Sequence, residues 1–260
     1  MHQLEEQNRF QQPLIIAHRG YRAKYPENTL VAFEAALDAG AAMIELDVSL
    51  SYDRKVVVIH DATLQRTTNG HGPVNGLTLR ELKQLDAGSW FHSDYAGERL
   101  PELIEVLELV EGRALINIEI KSGAYEPNHP LDAIERQVMD LVRRKKALDY
   151  ILISSFNILI LEQLAALKDA PPLAWISKCP ADHHTVAMCT RINAFSWHPE
   201  HLILTRDQVD MMHAAGIKVF PFNIETRADF NRMLSIGVDG AIMNDPAEAL
   251  KWMGSRKTAS

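Results

Sequence analysis

A chain of 260 residues, 47% of them hydrophobic, is long enough to bury one large core, and that length suits one α/β barrel as well as two small domains. A formal charge of -7 and a pI near 5.9 exclude a broad, sequence-independent grip on nucleic acid or on an anionic membrane, because both draw their affinity from clustered Lys and Arg. Cys179 and Cys189 form no CxxC, so neither a zinc site nor a redox pair is expected, and both are read as buried thiols.

The N-terminal MHQLEEQNRFQQP carries two acids and no apolar h-region, so it does not read as a signal peptide, and no apolar stretch is long enough to span a bilayer. A soluble cytoplasmic protein is expected, with one folded domain over residues 13–254 and loosely held tails at 1–12 and 255–260. The sequence leaves the oligomeric state open.

From residue 14 to residue 252, short β-branched runs alternate with amphipathic segments, the pattern of repeated βα units around a parallel sheet. The predicted strands are 14–18, 42–50, 56–60, 114–121, 150–155, 173–177, 192–197, 217–223 and 240–243. Nine is one too many for an eightfold barrel. The excess resolves if VVVIH at 56–60 returns antiparallel from AMIELDVSL through the tight turn Ser51–Lys55. A turn centred between Asp53 and Arg54 sets Asp47 opposite His60, with Cβ atoms about 5 Å apart.

Helices are predicted over ENTLVAFEAALDAG, LPELIEVLELVEG, Leu131 to Lys146, ILILEQLAALKD, RDQVDMMHAAG, RADFNRMLSIG and PAEALKWM. The basic run Arg143 to Lys146 ends one of them, where cations meet the helix dipole favourably. Residues 62 to about 100 break the rhythm with Gly, Asn and Thr and one short helix. They read as an insertion above the C-terminal face, placed to shape a substrate mouth.

In such barrels chemical groups sit at the C-terminal ends of strands. His18 and Arg19 end the first strand, Glu45 and Asp47 lie on the second, His60 and Asp61 close its hairpin, and Glu119 and Lys121 end the next parallel strand. Alternation of faces points Glu45 with Asp47, and Glu119 with Lys121, to one side each. Three carboxylates aimed into an apolar interior call for a cation, and their hard oxygens match Mg²⁺ or Ca²⁺ better than zinc. His18 and His60 are the expected proton carriers, Arg19 is placed to fork onto phosphate oxygens, and Lys121 adds a point charge for a pentacoordinate transition state. Glu27 and Asn28, with Thr29, open the first helix, either as caps or as substrate contacts. Trp197, Phe220 and Phe222 either wall the apolar side of a substrate or belong to the core. Together these residues read as a metal-dependent enzyme acting on a phosphate ester.

The segment AHRGYRAKYPENTLVAFEAALDAGAAMIELDVSLSYDRKVVVIHD, followed by NIEIK, ISSF and GVDGAIMNDP, resembles the glycerophosphodiester phosphodiesterase family, specifically its bacterial cytoplasmic type. The resemblance implies a TIM (β/α)8 barrel with a small insertion after the strand 2 hairpin. It implies that Glu45, Asp47 and Glu119 hold a divalent metal, Mg²⁺ or Ca²⁺, that His18 and His60 act as general base and acid, and that Arg19 and Lys121 contact phosphate. The implied reaction cleaves a glycerophosphodiester to sn-glycerol 3-phosphate and an alcohol, the glycerol 2-hydroxyl attacking first to form a cyclic phosphate. Trp197 and Phe220 are the expected substrate-binding aromatics. VFPFN departs from a Trp-Thr-Val-Asn stretch that many members carry, although Phe220 keeps an aromatic and Asn223 the amide.

Two rival readings are carried. A lysophospholipase D-like enzyme needs an apolar rim, for which Trp90, Phe91 and Tyr95 of the insertion are the candidates. A non-catalytic phosphodiester-binding protein would have lost a carboxylate or a histidine, and this chain keeps all seven polar candidates.

Overall fold

The structure is a computed structural model that describes residues 13–257. Its elements are β1 (Leu14–Ala17), α1 (Leu30–Asp38), β2 (Met43–Leu50), β3 (Val56–Val58), α2 (Leu79–Leu82), α3 (Leu103–Val110), β4 (Leu115–Ile120), α4 (Ile134–Arg144), β5 (Ile151–Ser155), α5 (Ile158–Ala165), β6 (Leu173–Ser177), α6 (His183–Arg191), β7 (Ser196–Pro199), α7 (Arg206–Ala214), β8 (Lys218–Val219), α8 (Arg227–Ser235), β9 (Gly240–Met243) and α9 (Pro246–Lys257). The sheet runs β8-β7-β6-β5-β4-β2-β1-β9, all parallel, with β3 antiparallel on β2. Hydrogen bonds from Asp239 N to Val219 O (3.1 Å) and Ile242 N to Pro221 O (2.9 Å), with a parallel bridge between Ile224 and Met243, draw β8 to β9 and bring the barrel nearly to closure.

The expected strand over 217–223 shortens to two residues because Pro221 has no N–H to give the ladder. Phe220 N and Phe222 N still bond Trp197 O and Pro199 O at 3.0 Å, so this stave keeps its direction. α6 is a helix the sequence reading did not include. Its mixed HHTVAMCTR face gives little periodic signal, but Asp182 caps it in a reciprocal box with Thr185. Cys189 on α6 is buried and Cys179 is exposed, so only one of the two thiols is interior as expected. α9 continues to Lys257, through the first residues of the tail expected at 255–260, and residues 258–260 and the expected tail at 1–12 lie outside the described residues.

Residue parity sorts the strands into two faces. Ile44, Leu46 and Val48 of β2 and Ile116, Ile118 and Ile120 of β4 pack outward against α1, α3 and α4. Leu14, Ile16, Met43, Leu115, Leu152, Ala174, Phe220 and Ile242 fill the barrel interior. Each fully buried side chain of this size contributes about 1.5–3 kcal/mol of transfer free energy. Positions one pleat further along the strands are polar: Glu45, Asp47, Asn117, Glu119, Ser154 and His198 are buried there. The apolar plug below thus fixes the staves, and the polar layer above it is the floor of a site. The insertion packs Leu64, Val74, Leu82, Ala87 and Leu100 against Val57 and Ile59 of the hairpin, a small core built on the barrel rather than apart from it.

Gly20 shows why a glycine follows His18 and Arg19. Its φ is +79°, and a Cβ there would stand 2.7 Å from the backbone carbon of Ala32, so the chain can reverse tightly into α1 only without a side chain.

Candidate active site

β1, β2 and β4 are neighbours, and their C-terminal ends gather the polar groups. Glu45, Asp47 and Glu119 each place a carboxylate oxygen within 4.8 Å of the others. Burial, followed by the charges of Asp47 and Glu119, pushes the Glu45 carboxyl well above its usual range. Burial and Asp47 push Glu119 up to about 7, against the pull of Lys121. Asp47 goes the other way. Burial opposes its charge, but Lys121 and Arg19 outweigh it and hold the carboxyl low. Lys121 Nζ stands 3.1 Å from Asp47 Oδ1 and 2.5 Å from Glu119 Oε1, while Arg19 Nε is 3.3 Å from Asp47 Oδ2. Three crowded carboxylates, two of which keep a raised proton affinity beside two cations, are chemically suited to a hard dication, which would replace those protons.

Arg19 sits at φ 54°, a strained conformation for a bulky residue, and its N–H donates to Glu45 Oε2 at 2.8 Å. Its guanidinium is held by Glu27 at 2.8 Å as well as by Asp47, so part of the fork expected for phosphate is already engaged. Glu27 is neither cap nor simple surface acid: it receives two hydrogen bonds from Arg66, at 2.9 and 2.7 Å, and lies 3.5 Å from Arg22. Thr29 caps α1 by accepting from Ala32 N, while Asn28 turns to Asp47. No periodic signal marks Arg22 or Arg66, because both lie in irregular segments and meet Glu27 only through the fold.

His18 is buried at the end of β1, with Nδ1 2.9 Å from Asn244 Oδ1. Burial and the charges of Arg19 and Arg22 lower its pKa to about 3, so it is neutral at ordinary pH. His60 bonds Asp61 through Nδ1 at 2.6 Å, and burial lowers its pKa too. In both rings the engaged Nδ1 leaves Nε2 as the nitrogen for proton transfer.

The expected pairing of Asp47 with His60 is off by one residue. Val48 pairs with Val58, Ser49 with Val57 and Leu50 with Val56, which sets Ile59 opposite Asp47. The turn is a three-residue loop, Tyr52 to Arg54, closed by Ser51 N to Lys55 O, and Arg54 takes the left-handed φ of 59° that such loops need. His60 therefore lies beyond the ladder and bends over the strand ends. It still reaches the cluster, lining one cavity with His18, Arg19, Glu45 and Glu119.

That cavity, about 250 Å³, is closed by Phe156, Ile176, Phe222 and Ile242 and also receives Asn117, Lys178, His198 and Asn223. Trp197 and Phe220, expected against a substrate, are not in it. Trp197 sits at an outward position of β7, fully buried among α7 and α8 residues, with Nε1 donating to Ser177 Oγ at 3.0 Å. Phe220 faces inward but one layer too deep, in the apolar plug. Phe222, two residues on, takes the wall position, and Phe156 is an aromatic the sequence reading missed. Trp90, Phe91 and Tyr95 stack on one another, and Tyr95 docks on Tyr25 with its hydroxyl on Lys24 O. None of the three lines the cavity.

The model of the glycerophosphoryl diester phosphodiesterase family matches residues 18–248, which contain every one of these polar groups. The chain belongs to that family. A glycerophosphodiester phosphodiesterase of Caldanaerobacter subterraneus subsp. tengcongensis is 40% identical over 234 residues, covering 90% of this chain and 94% of the relative. Another, from Bacillus altitudinis, is 37% identical over 243 residues and covers 91% and 96%. Among solved structures, a phosphodiesterase of Oleispira antarctica in complex with the product sn-glycerol-3-phosphate superposes with a TM-score of 0.85 at 29% identity, over 94% of this chain and 97% of that one. As a member of the family the chain is a phosphodiesterase on a TIM barrel. Among the described residues, no helix is long and apolar enough to cross a membrane.

Proposed function

We propose that the chain hydrolyses glycerophosphodiesters to sn-glycerol 3-phosphate and a free alcohol, with His18 and His60 transferring protons beside a divalent ion. The observation that carries this reading is the convergence of His18, His60, Arg19, Glu45 and Glu119 on one cavity, with Asp47 and Lys121 in contact with Arg19 and Glu119 beside it. The complex of the Oleispira relative with sn-glycerol-3-phosphate supports the choice of product.

Glu45, Asp47 and Glu119 would hold the ion, Mg²⁺ or Ca²⁺, which when bound supplies electrophilic polarisation of a phosphoryl oxygen. The side chains of the protein do the rest. His18 Nε2 takes the proton of the glycerol 2-hydroxyl as its oxygen bonds phosphorus, and His60, protonated on both nitrogens with Nδ1–H on Asp61, gives its Nε2 proton to the alcohol oxygen as its bond to phosphorus breaks. Water then opens the cyclic phosphate, His60 Nε2 taking its proton and His18 Nε2 returning one to the 2-oxygen. Asn244 and Asp61 orient the two rings through Nδ1. The unengaged edge of Arg19 and the ammonium of Lys121 stabilise the charge that gathers on the phosphoryl oxygens. The enzyme would work in the cytoplasm without stable membrane association. The short-headgroup reading is favoured over the lysolipid one because Trp90, Phe91 and Tyr95, the candidates for an apolar rim, do not line the cavity.

Release of glycerol 3-phosphate from a panel of short-headgroup diesters and lysolipids, with EDTA and then each ion restored, tests the proposal. Release from the short diesters that stops with EDTA and returns with Mg²⁺ or Ca²⁺ is the expected result. Release that ignores EDTA, or that occurs only from lysolipids, overturns it.

A further inference from the structure

Beside the carboxylates, in the same polar layer, the inward positions of the barrel carry side chains with polar atoms that the fold does not satisfy. Asn117 is the register partner of Glu45, Ser154 that of Glu119, and His198 that of Ile176. All three are at most 1% exposed. Asn117 Oδ1, Ser154 Oγ and His198 Nδ1 have no hydrogen-bond partner. Buried polar atoms are almost always paired, so a group of unpaired ones on a cavity floor calls for a ligand. Asn117 and His198 line the same cavity as His18, His60 and Glu119.

The chemistry of that floor is specific. His198 Nε2 is 2.9 Å from Ser196 Oγ, its ring lies 5.4 Å from that of Phe220, and burial lowers its pKa to about 3. A neutral imidazole that accepts from the Ser196 hydroxyl at Nε2 carries its proton on Nδ1. With Nε2 so engaged, the floor offers the His198 Nδ1–H donor and the Asn117 Oδ1 acceptor, with the Asn117 amide N–H and the Ser154 hydroxyl beside them, and none of these groups is charged. An alcohol hydroxyl answers both, whereas a phosphate would leave the acceptor facing an anion and an ammonium would leave the donor facing a cation.

We propose that Asn117 and His198 bind the terminal hydroxyl of the substrate's glycerol unit, the one remote from phosphorus, and so select glycerol esters over esters lacking it. This rests on the glycerophosphodiester reading. Phe220, expected against substrate, acts one step back by holding the His198 ring.

The test compares glycerophosphoethanolamine with the matching diester of propane-1,2-diol, which keeps the attacking hydroxyl and lacks the terminal one. The wild-type enzyme is expected to favour the glycerol ester on the order of 10⁴-fold in kcat/KM, as sites built to bond a hydroxyl do. His198→Phe and Asn117→Leu are expected to erase most of that preference through loss on the glycerol ester. Equal use of both diesters by the wild type, or full preference in both variants, overturns the hydroxyl floor and leaves the proposed function standing. Hydrolysis of neither diester overturns the function itself, and the floor with it. Melting curves guard against a merely structural effect. His198→Phe removes one unpaired buried nitrogen but also the partner of Ser196 Oγ, so its Tm should fall only modestly, with a smaller rise on adding glycerol 3-phosphate. A variant that melts well below wild type and keeps the full ligand-induced rise assigns the residue to packing and refutes the proposal.

Discussion

Asn28 grips Asp47 from both ends: its Nδ2 donates to Asp47 Oδ2 at 2.9 Å, and its Oδ1 accepts from Asp47 N at 3.3 Å. Asn28 does this from the left-handed region, at φ 57°, which Asn tolerates better than most residues. The buried carboxylate is thereby fixed in rotamer before any ion arrives. Asn28→Ala should weaken divalent-ion affinity by roughly 10–100-fold, the usual effect of removing a partner that orients a metal ligand. Titration calorimetry with Mg²⁺ checks this, and unchanged affinity would show that Asp47 needs no such support.

His18→Ala and His60→Ala should each lower kcat by roughly 10²–10⁴, the typical contribution of a positioned proton carrier. His60 is the more exposed of the two, so its loss should move Tm less. Steady-state kinetics with melting curves separate the effects, and near-normal turnover in either variant would remove that histidine from the mechanism.

Glu27 ties Arg19, Arg22 and Arg66 together from a buried position. Burial alone would raise its pKa, but the Arg66 hydrogen bonds and the Arg19 and Arg22 charges outweigh burial and bring it from 4.5 to about 2. A carboxyl with a depressed folded pKa stabilises above its unfolded pKa, and that stability fades as pH falls from about 4.5 towards about 2. Glu27→Gln should therefore cost roughly 3–5 kcal/mol at neutral pH, as removal of one partner from a buried ion pair does. The difference from wild type should narrow below pH 4.5, by at most about 1.4 kcal/mol per pH unit. Urea titrations across that range would contradict the assignment if the gap stayed constant.

Glu45 and Glu119 keep raised pKa values, Glu119 up to about 7, mainly through burial and then through neighbouring negative charge. An ion bound among them must displace those protons. Binding of Mg²⁺ or Ca²⁺ should release protons near pH 7 and tighten as pH rises from 6 to 8. At a hundredfold excess over Kd it should add about 2.7 kcal/mol of stability. Calorimetry in buffers of different ionisation enthalpy reads the proton count, and chelation should reverse the gain in Tm. No proton release would mean that these carboxylates are already ionised without the ion.

Alternating apolar and β-branched runs suffice to announce β1, β2, β4, β5, β6 and β9, because a strand covered on both faces must be apolar at both parities. Against that background Glu45, Asp47 and Glu119 stand out, so the carboxylate cluster was legible by simple contrast. The hairpin was legible as well, but its register was not: it depended on Arg54 adopting a left-handed φ, which only the closed turn reveals. Trp197 and Phe220 were misplaced for a related reason, since a one-residue or one-pleat difference sends an aromatic to the helices or into the plug.

The chain's order of apolar and polar residues thus determined the barrel, the insertion and the charged groups that end its first staves, because burial periodicity and strand alternation are local properties. Tertiary structure alone decided which of those groups meet. The Glu27 arginine hub joins residues 19, 22, 27 and 66, and the polar floor joins Asn117 to His198 from strands three places apart. The floor follows from barrel closure, which brings distant staves to one axis, and the hub from the insertion folding back over the segment after β1; no window of sequence carries either geometry.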